Sequence, residues 1–133
     1  MADGPESQVE LEGGEQWLRA WPVEPALPNG SSERPGWFIL TSRRAVFFRR
    51  VGLFGGGRLE KPPAHAWRLE QVRSLEPRRF EMKVGYGDKV AIPGFAVEGQ
   101  GFRLNRETPS GGVLEAIDRA RRARRSELGL PLL

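Results

Sequence analysis

The stretch GWFILTSRRAVFF, residues 36–48, decides the fold. WFILTS and the following RAVFFRR are runs of β-branched and aromatic residues, broken only by a short polar turn near Ser42 and Arg43. Two such runs across so short a turn read as a β-hairpin. Immediately upstream, EQWLRAW (15–21) alternates: Trp17, Arg19 and Trp21 fall on one side, Leu18 and Ala20 on the other. That period of two marks a first strand. The intervening PVEPALPNGSSERPG (22–36) is rich in proline, glycine and serine and reads as a long loop.

Downstream of the hairpin, strands are expected near 65–69, 72–76 and 79–84, a turn at GYGD (85–88), and a strand over 89–97. Pro93-Gly94 inside that last strand suggests a bulge or a sheet edge. A turn at EGQG leads to a final strand over 101–105. The pattern then changes. In TPSGGVLEAIDRARRARRSELG, Val113, Leu114, Ile117, Ala120 and Leu128 recur at helical spacing, with charges on the other faces. Thr108 or Ser110 is placed to cap this helix, and Gly129 to end it. About seven short strands followed by one amphipathic helix need a way to cover the sheet edges. A mainly β, partly open, seven-stranded antiparallel β-barrel, stoppered by the helix's apolar stripe, provides one.

The 133 residues and 38% hydrophobic content suit one domain with a modest core. No apolar run reaches the ~20 residues of a transmembrane helix. The acidic, polar start resembles neither a secretory signal nor a transit peptide. There is no cysteine and only one histidine, His65. Disulfides, zinc thiolates, a thiol nucleophile and multi-histidine metal sites are therefore excluded, and a cytoplasmic location is expected. Charge is unevenly placed. Residues 1–15 hold Asp3, Glu6, Glu10, Glu12 and Glu15 and no base, so the remainder sets 21 bases against 12 acids. Residues 1–14 are expected to be a disordered acidic tail, residues 15–128 the folded unit, and 129–133 an apolar tail. A basic body favours acidic partners: a membrane surface, nucleic acid or an acidic protein.

Three segments are candidates for binding. The first is RRVGLFGGGRLEK (49–61). It lacks the lysine and hydroxyl that a P-loop needs after its last glycine, because Arg58 and Leu59 follow Gly57. It is either a plain hairpin loop or a docking tip. As a tip, Leu53 and Phe54 would insert into an anionic interface, with Arg49, Arg50, Arg58 and Lys61 around the base. The second is RARRARR (119–125), whose Arg121, Arg122, Arg124 and Arg125 form either a nucleic-acid patch or the solvated face of a plugging helix. The third is the tail GLPLL (129–133), which either tucks in or pairs with a partner, a second copy of the chain included. Trp17, Trp21, Trp37 and Trp67 read as core or rim, and His65 as structural or exposed. No acid, base and nucleophile converge in the pattern, no cofactor or metal is implied, and catalysis is not expected.

GWFILTSRRAVFF also resembles a signature of bacterial pleckstrin-homology-like and GRAM-type domains, through Gly36, Leu40, Thr41 and Arg44. The preceding LEGGEQWL is similar to the leading Gly-Glu segment of that family, with Gly14 and Glu15 matching, and LEQVRSLE (69–76) to its aliphatic step between strands. Ser42 stands where the family usually has asparagine. The resemblance covers roughly residues 11–128. It implies a seven-stranded barrel with a C-terminal helix and a non-enzymatic binding role. Some relatives bind phosphoinositides or other anionic lipids and some bind proteins. Eukaryotic relatives bind headgroups with bases in the loop joining the first two strands; here that loop, 22–36, has Arg34 as its only base. An anionic phospholipid surface is the expected partner, with protein docking second and nucleic acid third.

Overall fold

A computed structural model describes residues 5–26, 34–51, 58–105 and 108–132. Eight antiparallel strands and one helix follow in order: β1 (Trp17–Ala26), β2 (Gly36–Thr41), β3 (Arg44–Val51), β4 (Arg58–Leu59), β5 (His65–Arg68), β6 (Leu75–Val84), β7 (Asp88–Val97), β8 (Gln100–Arg103) and α1 (Ser110–Glu127). The sheet runs β4-β3-β2-β1-β8-β7-β6, and β5 also pairs with β3. The chain is mainly β with one C-terminal helix, as expected. There are eight strands rather than seven, and the sheet stays open instead of closing into a barrel.

β1 organises the sheet by changing partners partway along. Trp17–Val23 pair with β2 and Glu24–Ala26 pair with β8. The strand therefore runs past the expected loop start at Pro22 to Ala26. Pro22 and Pro25 are tolerated because each half of β1 has one unpaired edge to which a proline nitrogen can turn. The two sheet halves that β1 joins enclose the main core. Trp21, Phe38, Phe47, Phe95 and Phe102 fill it together with Val113, Ile117 and Ala120 of α1. Phe38 meets Phe95 and Phe102 edge-on, with ring centroids 5.0 and 5.2 Å apart, the arrangement the ring quadrupoles favour.

β2 up to Leu40 and β3 from Ala45 to Phe48 are apolar at successive positions because both of their faces are covered. Phe38, Leu40, Ala45 and Phe47 face the main core, while Ile39, Val46 and Phe48 form a second cluster with Val9 and Leu59. Val9 belongs to the segment expected to be a disordered tail. Instead, residues 5–8 form a 3-10 turn, and the Gln8 side chain accepts from the Leu59 N–H at 2.7 Å. Arg44 donates to the Glu10 carbonyl at 2.6 Å, and Arg68 pairs with Glu12 at 2.8 Å. Acidic composition hid the packing, which needs only one apolar side chain, Val9, and carboxylates matched to arginines.

Three of the residues that carry the resemblance, Glu15, Thr41 and Arg44, meet at one point. The Glu15 side chain is fully buried. Its carboxylate accepts from Thr41 Oγ1 at 2.5 Å, Arg44 Nε at 2.8 Å and the Glu12 N–H at 2.9 Å. Thr41 Oγ1 in turn accepts from the Arg43 and Arg44 N–H groups. This network closes the β2–β3 turn and ties the first segment to it. Burial opposes the charge on Glu15, but the hydrogen bonds from Arg44, Thr41 and the Glu12 N–H outweigh it and hold the carboxyl below its usual 4.5.

A 3-10 turn at Leu69–Gln71 precedes β6, which starts at Leu75 and runs to Val84, so the two strands expected over 72–76 and 79–84 are one strand, without residues 72–74. Glu98, in the β7–β8 turn at φ +50, accepts from the Arg73 and Ser74 N–H groups. Those backbone donors, Ser74 first and then Arg73, hold its carboxyl below the usual range. α1 packs on this turn and on β6 and β7. No side chain caps its N-terminus: Pro109 occupies that position, and Thr108 donates to Asn105 instead. Gly129, at φ +70, ends it as expected, with Leu130 N–H bonded to Arg125 O and Gly129 N–H to Ser126 O.

Two stability predictions follow from this packing. A Cβ on Gly36 would lie 2.0 Å from the Phe48 carbonyl oxygen and 2.8 Å from the Phe47 ring. Gly36→Ala is expected to cost at least about 2 kcal/mol, whereas Gly111→Ala, in open space on α1, gains up to about 1 kcal/mol; paired thermal denaturation checks both. Glu15→Gln breaks a buried ion pair and is expected to cost about 3 kcal/mol at neutral pH. Because the folded pKa of Glu15 is depressed, its contribution is complete above about pH 5 and is lost as the pH falls through the folded value. The gap between wild-type and Glu15→Gln melting temperatures should therefore shrink on acidification, and a gap that stays constant would count against the network.

Candidate functional site

Where β1 leaves β2, the sheet cannot stay continuous, and a cleft of about 270 Å³ opens there. Its walls are Pro22–Glu24 at the switch, Pro35 and Gly36 at the start of β2, Arg50 at the end of β3, and Arg103–Asn105 at the end of β8. The cleft is somewhat smaller than the ~300–1,000 Å³ of pockets that engulf an organic ligand. It suits a compact charged group. Val23 and Leu104 give it an apolar floor that belongs to the main core.

Two arginines line this cleft. Arg50 is exposed, and among the described residues no carboxylate pairs with it. Arg103 is half-buried; its Nε is buried without a hydrogen-bond partner among the described residues, and its NH2 lies 3.1 Å from the Met82 sulfur, a weak acceptor. Glu24 lines the same cleft. Around it, Arg34 and Arg49 share Glu60 at 3.8 and 3.9 Å, and Arg58 and Lys61 are exposed nearby on and after β4. Among the described residues, six cations thus stand against two carboxylates. Such an excess, partly set in low-dielectric walls, attracts anions.

Arg49, Arg50, Arg58 and Lys61, expected as a basic collar, are therefore brought to one end of the sheet. Leu53 and Phe54, expected at the apex of the tip, lie outside the described residues. Arg103 was missed from sequence. GFRLN shows a base at the end of a strand, but only the pairing of Glu24 with Arg103 sets it in a cleft with Arg50.

The arginines of α1 have different work. Arg121 donates to the Val72 carbonyl at 3.2 Å and pairs with Asp118. Arg125 donates to the carbonyls of Glu70 at 2.6 Å and Pro131 at 2.5 Å. Arg124 lies 3.7 Å from Glu70. Three of the four expected patch residues thus staple α1 to the 3-10 turn. Arg122, paired to Asp118 at 3.1 Å, is exposed. Leu128 at the end of α1, and Leu130 and Leu132 of the apolar tail, are exposed. Trp21 is buried, Trp17, Trp37 and Trp67 are half-buried, and His65 stacks on Trp67 with centroids 5.8 Å apart. No metal-holding cluster occurs among the described residues, and no described helix is long and apolar enough to cross a membrane.

No family model matches this chain, and no curated protein matches it in sequence. Among solved structures, it is similar to the hSac2 domain from the human phosphoinositide phosphatase Sac2, with a TM-score of 0.50 and 11% identity. The match covers 89% of this chain and 74% of that one. At that identity the likeness is one of fold.

The different work of the helix arginines is measurable. Arg121→Ala removes a buried donor from the Val72 carbonyl and is expected to cost about 2 kcal/mol, seen as a lower melting temperature. Arg122→Ala, on the exposed face, should stay within about 0.5 kcal/mol of wild type.

Proposed function

We propose that the chain is a non-enzymatic binding module of the pleckstrin-homology-like or GRAM type, recruited to membrane surfaces that carry anionic phospholipid. The observation that carries this reading is the cleft at the β1 switch, which Arg50 and Arg103 both line amid an excess of bases among the described residues. Guanidinium groups are suited to phosphate because their donors are planar and permanently charged. The likeness to a domain of a phosphoinositide phosphatase adds a fold-level hint in the same direction.

A second reading, docking to a protein, draws on the exposed Leu128, Leu130 and Leu132 after α1. Docking by strand addition to β6 is less favoured. That edge carries Pro77, Arg78, Arg79, Glu81 and Lys83, the residue types that blunt an exposed edge. Nucleic-acid binding through α1 loses support because most of its arginines are engaged internally.

Sedimentation with phosphatidylcholine vesicles, with and without phosphatidylserine, tests the lipid reading. Each base near an anionic surface contributes about 1 kcal/mol. Arg50→Glu should therefore weaken binding to the anionic vesicles at least roughly tenfold, Arg122→Glu should leave it nearly unchanged, and added salt should weaken it further. Equal sedimentation of wild type and Arg50→Glu would remove the cleft from the proposal, and deletion of residues 129–133 separates the protein-docking reading.

A further inference from the structure

The β6–β7 hairpin extends well past its neighbour. β8 pairs with β7 only from Gly94 to Val97, whereas β6 and β7 remain paired out to Val84 and Asp88. Pro93 sits where β8 ends, so its missing N–H costs β7 no further sheet bond, and the β6–β7 register runs through it without a bulge. Residues 79–92 therefore form an arm that overhangs the body beside the cleft.

The arm is amphipathic across its two faces. Its register places Phe80 beside Ile92 and Met82 beside Val90, with Val84 and, at the apex end, Asp88 next along the same face. Arg79, Glu81, Lys83, Lys89 and Ala91 take the opposite face. Phe80, Met82, Val84 and Val90 belong to neither core cluster, and Met82 and Val84 are 36% and 38% exposed. At the apex, Tyr86 is fully exposed between Gly85 and Gly87, both at positive φ. A folded chain seldom leaves such a face and such a tip in water without a use. The charged face is also under tension: Lys83 lies directly opposite Lys89, a like-charge cross-strand pair. Glu81 partly offsets Lys89 at 3.5 Å, while Lys83 has no carboxylate partner among the described residues.

We infer that this arm is a membrane-inserting element: its apolar face and Tyr86 enter the interface of an anionic bilayer while Lys83, Lys89 and Arg79 meet the lipid phosphates. The inference rests on the lipid reading above and deepens it by naming a second contact. Three observations select a bilayer over other occupants. An aromatic apex with apolar flanks and nearby bases is the composition of an interfacial segment. The Lys83–Lys89 pair, only partly offset by Glu81, favours negative charge. The apolar face is also continuous with the cationic cleft, because Arg103 lines the cleft and touches Met82. A second copy on the same face would bring two cationic clefts together.

The chain has no cysteine, so Tyr86→Cys supplies a single site for an environment-sensitive NBD fluorophore on the full-length protein. With phosphatidylserine-containing vesicles, the label should shift to the blue and brighten roughly twofold or more, and quenchers placed within the bilayer should dim it. Met82→Ser with Val84→Ser, both at exposed positions, should lower vesicle affinity roughly tenfold with the melting temperature unchanged. Vesicles that sediment the labelled protein without any spectral change would overturn the arm while leaving the cleft in place. A spectral change that depends on protein concentration in the absence of vesicles would give the face to a second copy and overturn it equally. Failure of labelled and unlabelled protein alike to sediment would overturn both proposals.

Discussion

The change of partner in β1, between Val23 and Glu24, is the constraint on which the rest of the molecule depends. A strand bonded to β2 through Val23 and to β8 from Glu24 onward must bend between the two halves it joins. That bend sets one half over the other and creates the space that Phe38, Phe47, Phe95 and Phe102 fill. It also leaves a seam, since neither neighbour can follow both halves. The core and the cleft are two consequences of one hydrogen-bonding decision, which is why Val23 and Leu104 both belong to the core and line the cleft.

The parts of the fold that were legible in the sequence are those set by local pattern. The β2–β3 hairpin, the helix and its end at Gly129 follow from residue type and spacing alone. What escaped was decided by tertiary pairing. β1 extends through Pro22 and Pro25 because a strand that switches partners has free edges, and no propensity scale contains that fact. The segment over residues 5–14 reads as a tail by charge. Yet Arg44 and Arg68 reach it from β3 and β5, and Val9 finds a second apolar cluster that exists only because β2 and β3 present apolar side chains on both faces. The basic collar was visible as a run of arginines and lysine. Its strongest member, Arg103, was not, because its neighbours come from β1, β2 and β3.

The same contrast explains why two arginine-rich segments with similar composition do different things. On α1, carbonyls of the 3-10 turn and acids one helical turn away lie within reach, and the guanidinium groups are consumed there. At the open end the strands terminate, and among the described residues only Glu24 and Glu60 stand near six cations. Charge density in the sequence therefore says little about availability. Availability is set by whether an acceptor lies at a strand or helix end within reach of the side chain.

On the proposed reading, the cleft and the hairpin arm supply two weak attachments rather than one strong one. A small group of bases at a charged surface contributes a few kcal/mol, at about 1 kcal/mol each, and that share falls with salt. Burying a few apolar side chains at an interface contributes a similar amount, at about 0.8 kcal/mol per methylene, and is insensitive to salt. Neither alone holds a protein of this size on a bilayer for long. Both together, joined rigidly through Arg103 and Met82, avoid the entropic cost of aligning two independent contacts. Because β7 is shared between the arm and the core, the arm's orientation is fixed by the same packing that fixes the cleft. The two attachments therefore present to one surface without rearrangement, and reversibility follows from the modest strength of each.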